Sequence, residues 1–196
     1  AATMLFGVLG AAYHWDMRRI LAFHIVSQIG YILLAIALSS QAGNAATLFY
    51  TLHHIVVKAN LFLIAAMVWR LTGSYDLRRI GGLWAARPGL ALLFLVPALS
   101  LVGIPPLSQG RYAWTAVALV VSVLTLYSMM KIWMEAFWKP HPEVREDRPW
   151  QPPADARLAP AWAATLSLAA VTLWIGLNPQ PRAAYAQAAA ATLGAR

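Results

Sequence analysis

Long apolar runs separated by short polar connections make up most of this chain. Six apolar segments can be distinguished, at 3–13, 20–39, 45–69, 88–107, 112–138 and 159–177. The first is too short to cross a bilayer, which takes roughly 20 helical residues, and the other five are long enough. Lipid offers no partner to an open sheet edge, and the period-two alternation of a membrane barrel is absent. The pattern therefore predicts an all-α membrane protein, built as a transmembrane helix bundle.

Two further stretches complete the predicted organisation. Residues 141–160 contain five prolines and mixed charges, which is typical of an exposed linker, and we place this linker at 139–158. Residues 178–196 form an alanine-rich C-terminal tail without recognisable chemistry. The predicted transmembrane domain is thus 1–177. Because the chain opens inside an apolar run and lacks a start methionine, we expect an upstream part to be missing.

Composition and charge distribution favour a membrane protein over one that binds nucleic acid. Charged residues make up 11% of the chain, whereas soluble domains contain about 25%. The net charge of +8 is concentrated in connections between segments. The connections after the first, third and fifth segments hold Arg18, Arg19, Arg70, Arg78, Arg79, Arg87, Lys139, Arg145, Arg148 and Arg157. The opposite side holds only Arg111, Arg182 and Arg196. By the positive-inside rule, the richer side is predicted to be cytoplasmic.

The third segment contains a lysine near its centre, Lys58, with His54 and Tyr50 at successive four-residue steps before it. Positions four apart share a helix face, so the three side chains form one polar stripe. Imidazole exchanges protons near neutral pH, and an amine taken out of water releases its proton at modest cost. We interpret the stripe as a proton relay. The alternative is a lysine that pairs with a carboxylate on another helix and fixes packing. His53, which lies off the stripe, is interpreted as a packing residue.

Polar residues also share one face of the second segment. His24, Ser27, Gln28 and Tyr31 follow one another at helical spacing. They could line a path for water and protons, which is the interpretation that we favour. The same residue types also hold transmembrane helices together through hydrogen bonds, so a packing role stays open.

The fifth segment repeats the four-residue step with Tyr127, Lys131 and Glu135. Lys131 and Glu135 could neutralise each other within the helix, which would make their burial less costly. Both lie near the end of the segment, where long side chains can reach the interface. For Glu135 a structural role is favoured over a role in proton relay. For Lys131 the two roles are equally supported.

The fourth segment ends in Gly103, Ile104, Pro105 and Pro106. Proline removes a backbone donor and clashes with the preceding turn, so the helix must break there. Broken helices at membrane depth often line an ion site, although the prolines could simply end the segment. The sequence contains no cysteine. We find no phosphate loop, metal-ligand cluster or nucleophile–base pair, and we predict no cofactor and no catalytic residue.

Several motifs resemble a known family. The first is formed by Asp16, Arg18, Arg19, Ile20, Leu21, Ala22, Phe23, His24, Ser27, Gln28, Ile29, Gly30 and Tyr31. The second is formed by His54, Lys58, Leu61, Phe62 and Leu63, with Gly81, Gly82 and Leu83 and the run from Leu101 to Ser108 as further signatures. Together they resemble the proton-conducting membrane subunits shared by respiratory complex I and the Mrp-type multisubunit Na+/H+ antiporters. Runs 53–63 and 126–140 are most similar to the D subunits of the Mrp antiporters.

The resemblance implies the C-terminal half of a fourteen-helix subunit with one discontinuous helix. In that family His24 and Lys58 lie on the central hydrophilic axis, His54 lies beside it, and Pro105 and Pro106 mark the helix break. Relatives continue after Ser108 with Gly-Phe and soon a lysine, whereas this chain continues with Gln109. An internal gap of several helical turns is therefore expected after Ser108, and the lysine of that stretch is absent.

The resemblance implies a subunit of a monovalent cation/proton antiporter in the bacterial plasma membrane, with other antiporter subunits, lipid, H+ and Na+ as partners. Proton movement along the His/Lys axis would be coupled to Na+ efflux. The alternative is a membrane-arm subunit, without a redox centre of its own, of a complex I-like NADH–quinone oxidoreductase or a membrane-bound hydrogenase. A third possibility is a scaffold without transport activity.

Overall fold

In the computed structural model the chain forms a bundle of helices. The structure describes residues 1–37, 41–102, 112–143, 150–153 and 158–177, with side chains except at 41–46, 102 and 112–115. The helices are α1 (Ala2–Tyr13), α2 (Met17–Ala37), α3 (Gln41–Thr72), α4 (Leu83–Ala86), α5 (Pro88–Val102), α6 (Tyr112–Trp133) and α7 (Ala159–Leu177). A π-helical turn, Met134–Trp138, continues α6. Within these ranges the only extended pairing is an isolated bridge between Asp16 and Asp76.

The predicted helical class is confirmed, and so are four of the five segments predicted to be long enough to span a bilayer; of the fourth segment, 88–107, the structure describes only the helix Pro88–Val102. Among the described residues, four stretches are long and apolar enough to cross a membrane: Met17–Ala37, Thr47–Thr72, Ala116–Trp138 and Ala159–Leu177. Two shorter apolar helices, α1 and α5, complete the bundle. The expected break at Pro105 and Pro106, the expected gap after Ser108 and the tail 178–196 lie outside the described residues.

Helix α3 lies at the centre of the bundle, since it packs against α2, α5 and α7. Helix α1 packs against α2 and α6, and α5 packs against α6 and α7. Small residues bring α1 and α2 close together. A Cβ atom on Gly7 would lie 2.4 Å from the backbone nitrogen of Ser27, and one on Gly30 would lie 2.4 Å from Met4. Close backbone approach at glycine is a common means of helix packing in membranes, where the hydrophobic effect does not drive association.

The connections after α1 and α3 lie on the same side of the bundle as Lys139, where the third basic connection begins, as the charge pattern predicts. The turn between α1 and α2 meets the connection after α3: Met17 N–H donates to the carbonyl of Tyr75 at 2.9 Å, and Leu77 N–H donates to that of Trp15 at 2.9 Å. The stretch after α6 joins them through Gly82 N–H and the carbonyl of Lys139, 2.6 Å apart. Gly82 has a φ of 71°, which favours glycine because it has no Cβ.

The prediction of an exposed linker at 139–158 does not hold for His141 and Leu158, which are both buried. His141 is only 6% exposed and stacks on Trp150 with ring centroids 4.5 Å apart. Leu158 is buried in the main hydrophobic core. The prolines predict an irregular backbone for this stretch. An irregular segment can still pack against the helices when it contains aromatic and apolar side chains. Residues 144–149 and 154–157 lie outside the described part of the chain.

Candidate functional site

Lys58 is buried between α3 and α2. The residue is 7% exposed, and its Nζ donates to the backbone carbonyl of Leu21 at 3.3 Å. None of the ion pairs in the described ranges involves Lys58. The alternative that required a carboxylate partner on another helix therefore has no support within those ranges. An ammonium held away from water by one carbonyl is costly, and burial of this kind marks groups that exchange protons or bind ions.

The predicted stripe on α3 is confirmed as a geometric feature. His54 is buried, and its ring lies 4.7 Å from that of Tyr50, measured between centroids. The Tyr50 hydroxyl donates a hydrogen bond to Oε1 of Gln28 on α2. The stripe therefore runs along the interface between α2 and α3 rather than toward lipid.

His24 comes to the same place from α2. It is fully buried, and it lies close enough to Lys58 and His54 for their charges to act on it. Leu21, whose carbonyl binds Lys58, precedes His24 by three residues and so shares its helix face. His24 Nε2 lies 2.6 Å from Oγ of Ser128 on α6. Three ionisable side chains, two imidazoles and one amine, are thus buried near the α2–α3 interface, in the interior of the bundle.

The other polar residues of α2 contact three different helices. Ser27 donates to the carbonyl of Met4 on α1 at 2.9 Å, at the place where Gly7 allows close approach. Tyr31 donates to the carbonyl of Ala118 on α6 at 2.8 Å. Ser27 and Tyr31 thus form the interhelical hydrogen bonds expected of the packing alternative. Gln28 contacts Tyr50 and so stays beside the stripe.

The row predicted on α6 does not face the buried cluster. Tyr127 is 57% exposed. Lys131 Nζ donates to the carbonyls of Ala12 at 3.1 Å and His14 at 2.8 Å, and it lies 4.0 Å above the ring of Trp15. Lys131 thus binds the carboxyl end of α1, where unpaired carbonyls attract a cation.

Glu135 forms its ion pair with Lys139 at 3.0 Å, not with Lys131. Of the possibilities for this row, an ion pair between Lys131 and Glu135 is therefore not formed in the described structure. A glutamate followed four residues later by a lysine is the more favourable helical order. The nitrogen of Lys131 is occupied by the two α1 carbonyls.

Sequence analysis missed the inward polar row of α6, which consists of Ser122, Thr125 and Ser128. All three are buried, and the signal was their three-residue spacing, which is less conspicuous than the longer, charged side chains nearby. His53, interpreted from the sequence as a packing residue, contacts α5, since its Nε2 lies 2.8 Å from Oγ of Ser100. Asn60 is fully buried, and neither of its side-chain polar atoms is hydrogen-bonded to a described residue.

Outside the membrane segments, two aspartates stabilise the paired connections. Asp16 accepts from the backbone N–H groups of Arg18 and Arg19 at 2.9 and 3.1 Å and so caps α2. Burial raises the pKa of Asp16, but its bonds with Arg18 and the amides outweigh burial and lower the pKa overall. The hydrogen bond from Arg78 lowers the pKa of Asp76 to about 2. Arg18 also lies 4.0 Å above the ring of Tyr75. In the described ranges no set of His, Cys, Asp or Glu is arranged to hold a metal ion.

The chain is similar in sequence to membrane proteins of a known family. The family model for the transmembrane region of NADH:quinone oxidoreductases and Mrp antiporters matches residues 1–138. The D subunit of the Na(+)/H(+) antiporter of Alkalihalophilus pseudofirmus is 39% identical over 193 residues, covering 91% of this chain and 38% of the relative. The corresponding D subunit of Bacillus subtilis is 31% identical over 207 residues, covering 98% of this chain and 41% of the relative. That alignment is longer than the 196 residues of this chain, so the relative has residues without a counterpart here.

Solved structures have the same fold. A chain of the Mrp complex from a Dietzia species superposes with a TM-score of 0.82 at 38% identity, covering 98% of this chain and 45% of that one. A chain of Thermus thermophilus respiratory complex I superposes with a TM-score of 0.74 at 23% identity, covering 96% and 42%. This chain spans about two fifths of the relatives it matches. It belongs to the family of NADH:quinone oxidoreductase and Mrp antiporter transmembrane proteins.

Proposed function

We propose that this chain acts within a multisubunit monovalent cation/proton antiporter of the bacterial plasma membrane, as a transport subunit and not as an enzyme. Protons would move between His24, His54 and Lys58 through intervening water, and this movement would be coupled to Na+ efflux. The observation that carries the proposal is the burial of these three groups between α2 and α3, without a described carboxylate to neutralise Lys58. The other antiporter subunits and lipid would surround it, with the arginine-rich connections in the cytoplasm.

The antiporter is favoured over the complex I-like alternative by sequence similarity. The antiporter relatives reported above are 31–39% identical, whereas the complex I chains are 23% and 26% identical. The buried cluster would serve proton movement in either machine. The identity of the partner subunits decides between them, and copurification of this subunit with small antiporter subunits or with quinone-reductase subunits would test it directly.

The other predicted site residues take defined places in this proposal. Tyr50 and Gln28, which are hydrogen-bonded to each other, would border the proton path beside His54. Ser27, Lys131 and Glu135 would stabilise packing, because their polar atoms bind the α1 backbone or a lysine near the surface. Pro105 and Pro106 would form the helix break. Residues 1–177 would form the transmembrane unit, with 178–196 as its tail.

The decisive experiment replaces Lys58 in the assembled antiporter. Lys58→Arg keeps the positive charge, but a guanidinium does not release its proton at accessible pH. We expect Lys58→Arg and Lys58→Ala to reduce Na+-dependent proton flux in proteoliposomes at least about a hundredfold, the lower range for loss of a proton-transferring group. Lys139→Ala, which removes a half-exposed lysine, should retain the flux. Full Na+-resistant growth of cells with assembled Lys58→Ala antiporter would refute the proposal.

A further inference from the structure

The contact between His24 and α6 fixes more than the position of the imidazole. Ser128 Oγ lies 2.6 Å from His24 Nε2 and 3.0 Å from the backbone carbonyl oxygen of Thr125. His24 and Ser128 are both fully buried. Two hydrogen bonds therefore meet at one hydroxyl oxygen, which has only one hydrogen to give.

Counting hydrogens assigns the donors. A carbonyl oxygen can only accept, so the bond between Ser128 and Thr125 requires the serine hydrogen. The Ser128 oxygen then accepts in its contact with His24, and Nε2 of His24 must donate. The opposite arrangement would place the hydroxyl oxygen and the Thr125 carbonyl 3.0 Å apart without a hydrogen between them. The network thus selects the neutral tautomer with hydrogen on Nε2.

This assignment leaves Nδ1 as the basic atom of His24. Nδ1 is buried, and no described residue forms a hydrogen bond with it. The groups whose charges act on this imidazole are Lys58 and His54 on α3. Lys58 is bound to the carbonyl of Leu21, one helical turn from His24 on α2. The lone pair of Nδ1 is the only site at which neutral His24 can accept a proton.

The same bond serves both charge states of His24. A proton that arrives at Nδ1 gives an imidazolium whose Nε2–H still donates to Ser128, so the ring can take up and release a proton without turning over. With the other tautomer, the proton would arrive at Nε2, the nitrogen that faces the Ser128 hydroxyl. We propose that Ser128 is a positioning residue that holds His24 in the Nε2–H tautomer and makes Nδ1 its proton-exchanging atom. This inference rests on the proposed function of His24.

The test measures the tautomer itself. The assembled antiporter, with ring-¹⁵N histidine, is examined in liposomes by solid-state NMR at about pH 8.5, where an ordinary histidine is neutral. Subtracting the spectrum of the His24→Gln complex isolates the His24 signals. We expect a protonated Nε2 and an unprotonated Nδ1. A protonated Nδ1 in the unaltered complex would overturn the inference, whatever the variants do.

Substitutions then test the role of the hydroxyl. Ser128→Ala should shift the ratio of the two tautomers roughly tenfold toward Nδ1–H, the factor that one lost hydrogen bond supplies, and lower Na+-dependent proton flux by a similar factor. Ser128→Thr keeps a hydroxyl and should retain both the tautomer and the flux. Ser167→Ala is the matched control, because Ser167 is an exposed serine whose hydroxyl bonds its own helix backbone, at 2.8 Å. An unchanged tautomer ratio in Ser128→Ala would contradict the assignment.

Failure of this inference can be told apart from failure of the proposed function. Normal flux through the His24→Gln complex would remove His24 from the proton path, whichever nitrogen carries hydrogen. Loss of flux in His24→Gln together with an Nδ1–H tautomer in the unaltered complex would keep the proton path and reject only the role of Ser128.

Discussion

Two lysines in apolar helices illustrate what decides the role of a single residue. Lys58 and Lys131 both follow a polar residue four positions earlier, and both lie in segments long enough to span a bilayer. Lys58 is buried against one carbonyl of α2. Lys131 binds two carbonyls at the carboxyl end of α1 and covers the ring of Trp15. The same side chain is thus poised for proton exchange in one place and stabilises a helix end in the other.

The contact of Lys131 with α1 leads to the first prediction about stability. Lys131→Met keeps the length of the side chain but removes both bonds to Ala12 and His14. Because hydrogen bonds from charged groups contribute more than neutral ones, the antiporter should lose about 1–2 kcal/mol of stability. The expected result is a lower thermal unfolding midpoint for this subunit, with flux per assembled complex retained.

Lys139→Met is the control for removal of a lysine from the same end of α6. Its ion pair with Glu135 is partly exposed, and such pairs contribute little. Flux that disappears in Lys131→Met while the complex stays assembled and equally stable would show that Lys131 belongs to the proton path.

At the scale of elements, close packing of α1 on α2 positions His24. Helix α1 has 12 residues and is too short to span a bilayer by itself, yet it covers the face of α2 that includes Ser27 and Gly30. Gly7 and Gly30 let the two backbones approach, and Ser27 adds an interhelical hydrogen bond. The fixed position of α2 then determines where His24 meets Ser128.

The second stability prediction tests this approach. A methyl group at Gly7 would lie 2.4 Å from the Ser27 nitrogen, which is backbone and has little freedom to move. Gly7→Ala should therefore separate α1 from α2 and destabilise the subunit by about 2 kcal/mol or more, as overpacking typically does. Thermal unfolding and the yield of assembled complex measure the effect.

Gly176→Ala provides the comparison within another helix of the bundle. No described atom lies within 4 Å of a Cβ atom at Gly176, and Gly176 is the second-to-last residue of α7, where alanine has little of the advantage that it has inside a helix. Gly176→Ala should therefore leave stability nearly unchanged, whereas Gly7→Ala should lower it. Equal stability of Gly7→Ala and the unaltered subunit would mean that α1 does not pack as described.

At the scale of the whole molecule, hydrogen bonds between connections hold the helix ends together. The turn between α1 and α2, the connection after α3 and the end of α6 are joined by backbone bonds on one side of the bundle. Asp16 and Asp76 reinforce the first of these junctions by accepting from backbone and arginine donors. Helices that are distant in sequence are thereby held in register outside the apolar region.

The third stability prediction concerns pH. Bonding to Arg78 lowers the pKa of Asp76 from 3.8 to about 2. A carboxylate with a lowered pKa stabilises the folded state above its unfolded-state pKa, and this contribution is lost as pH falls through the folded-state value. The contribution of Asp76 should therefore be complete above about pH 4 and decline toward pH 2. Both partners are in contact with solvent, so the effect is small.

Asp76→Asn isolates this contribution. The difference in unfolding midpoint between the variant and the unaltered protein should shrink as pH falls from 5 toward about 2, the range set by the pKa of Asp76. Glu143→Gln, which removes a carboxylate outside this junction, serves as the control. A difference that stays constant over the range would show that the negative charge of Asp76 does not stabilise the junction.

The sequence alone determined the helical class, the segments and the shared face of Tyr50, His54 and Lys58. These features depend on the spacing of polar and apolar residues along each helix and on the length of each apolar segment, and both can be read directly from the sequence. The common side of the arginine-rich connections followed from counting charges, since each crossing reverses the side.

Tertiary structure decided which faces meet. It turned Ser122, Thr125 and Ser128 inward and left Tyr127 exposed. The inward serine and threonine row and the row that begins at Tyr127 are separated by only a fraction of a turn on α6. It paired Glu135 with Lys139 and Lys131 with the end of α1. It also brought Ser128 to His24, 104 residues apart in the chain. Helical spacing specifies neighbours along one helix, whereas a contact between helices depends on their relative rotation and height, which only packing of the whole bundle fixes.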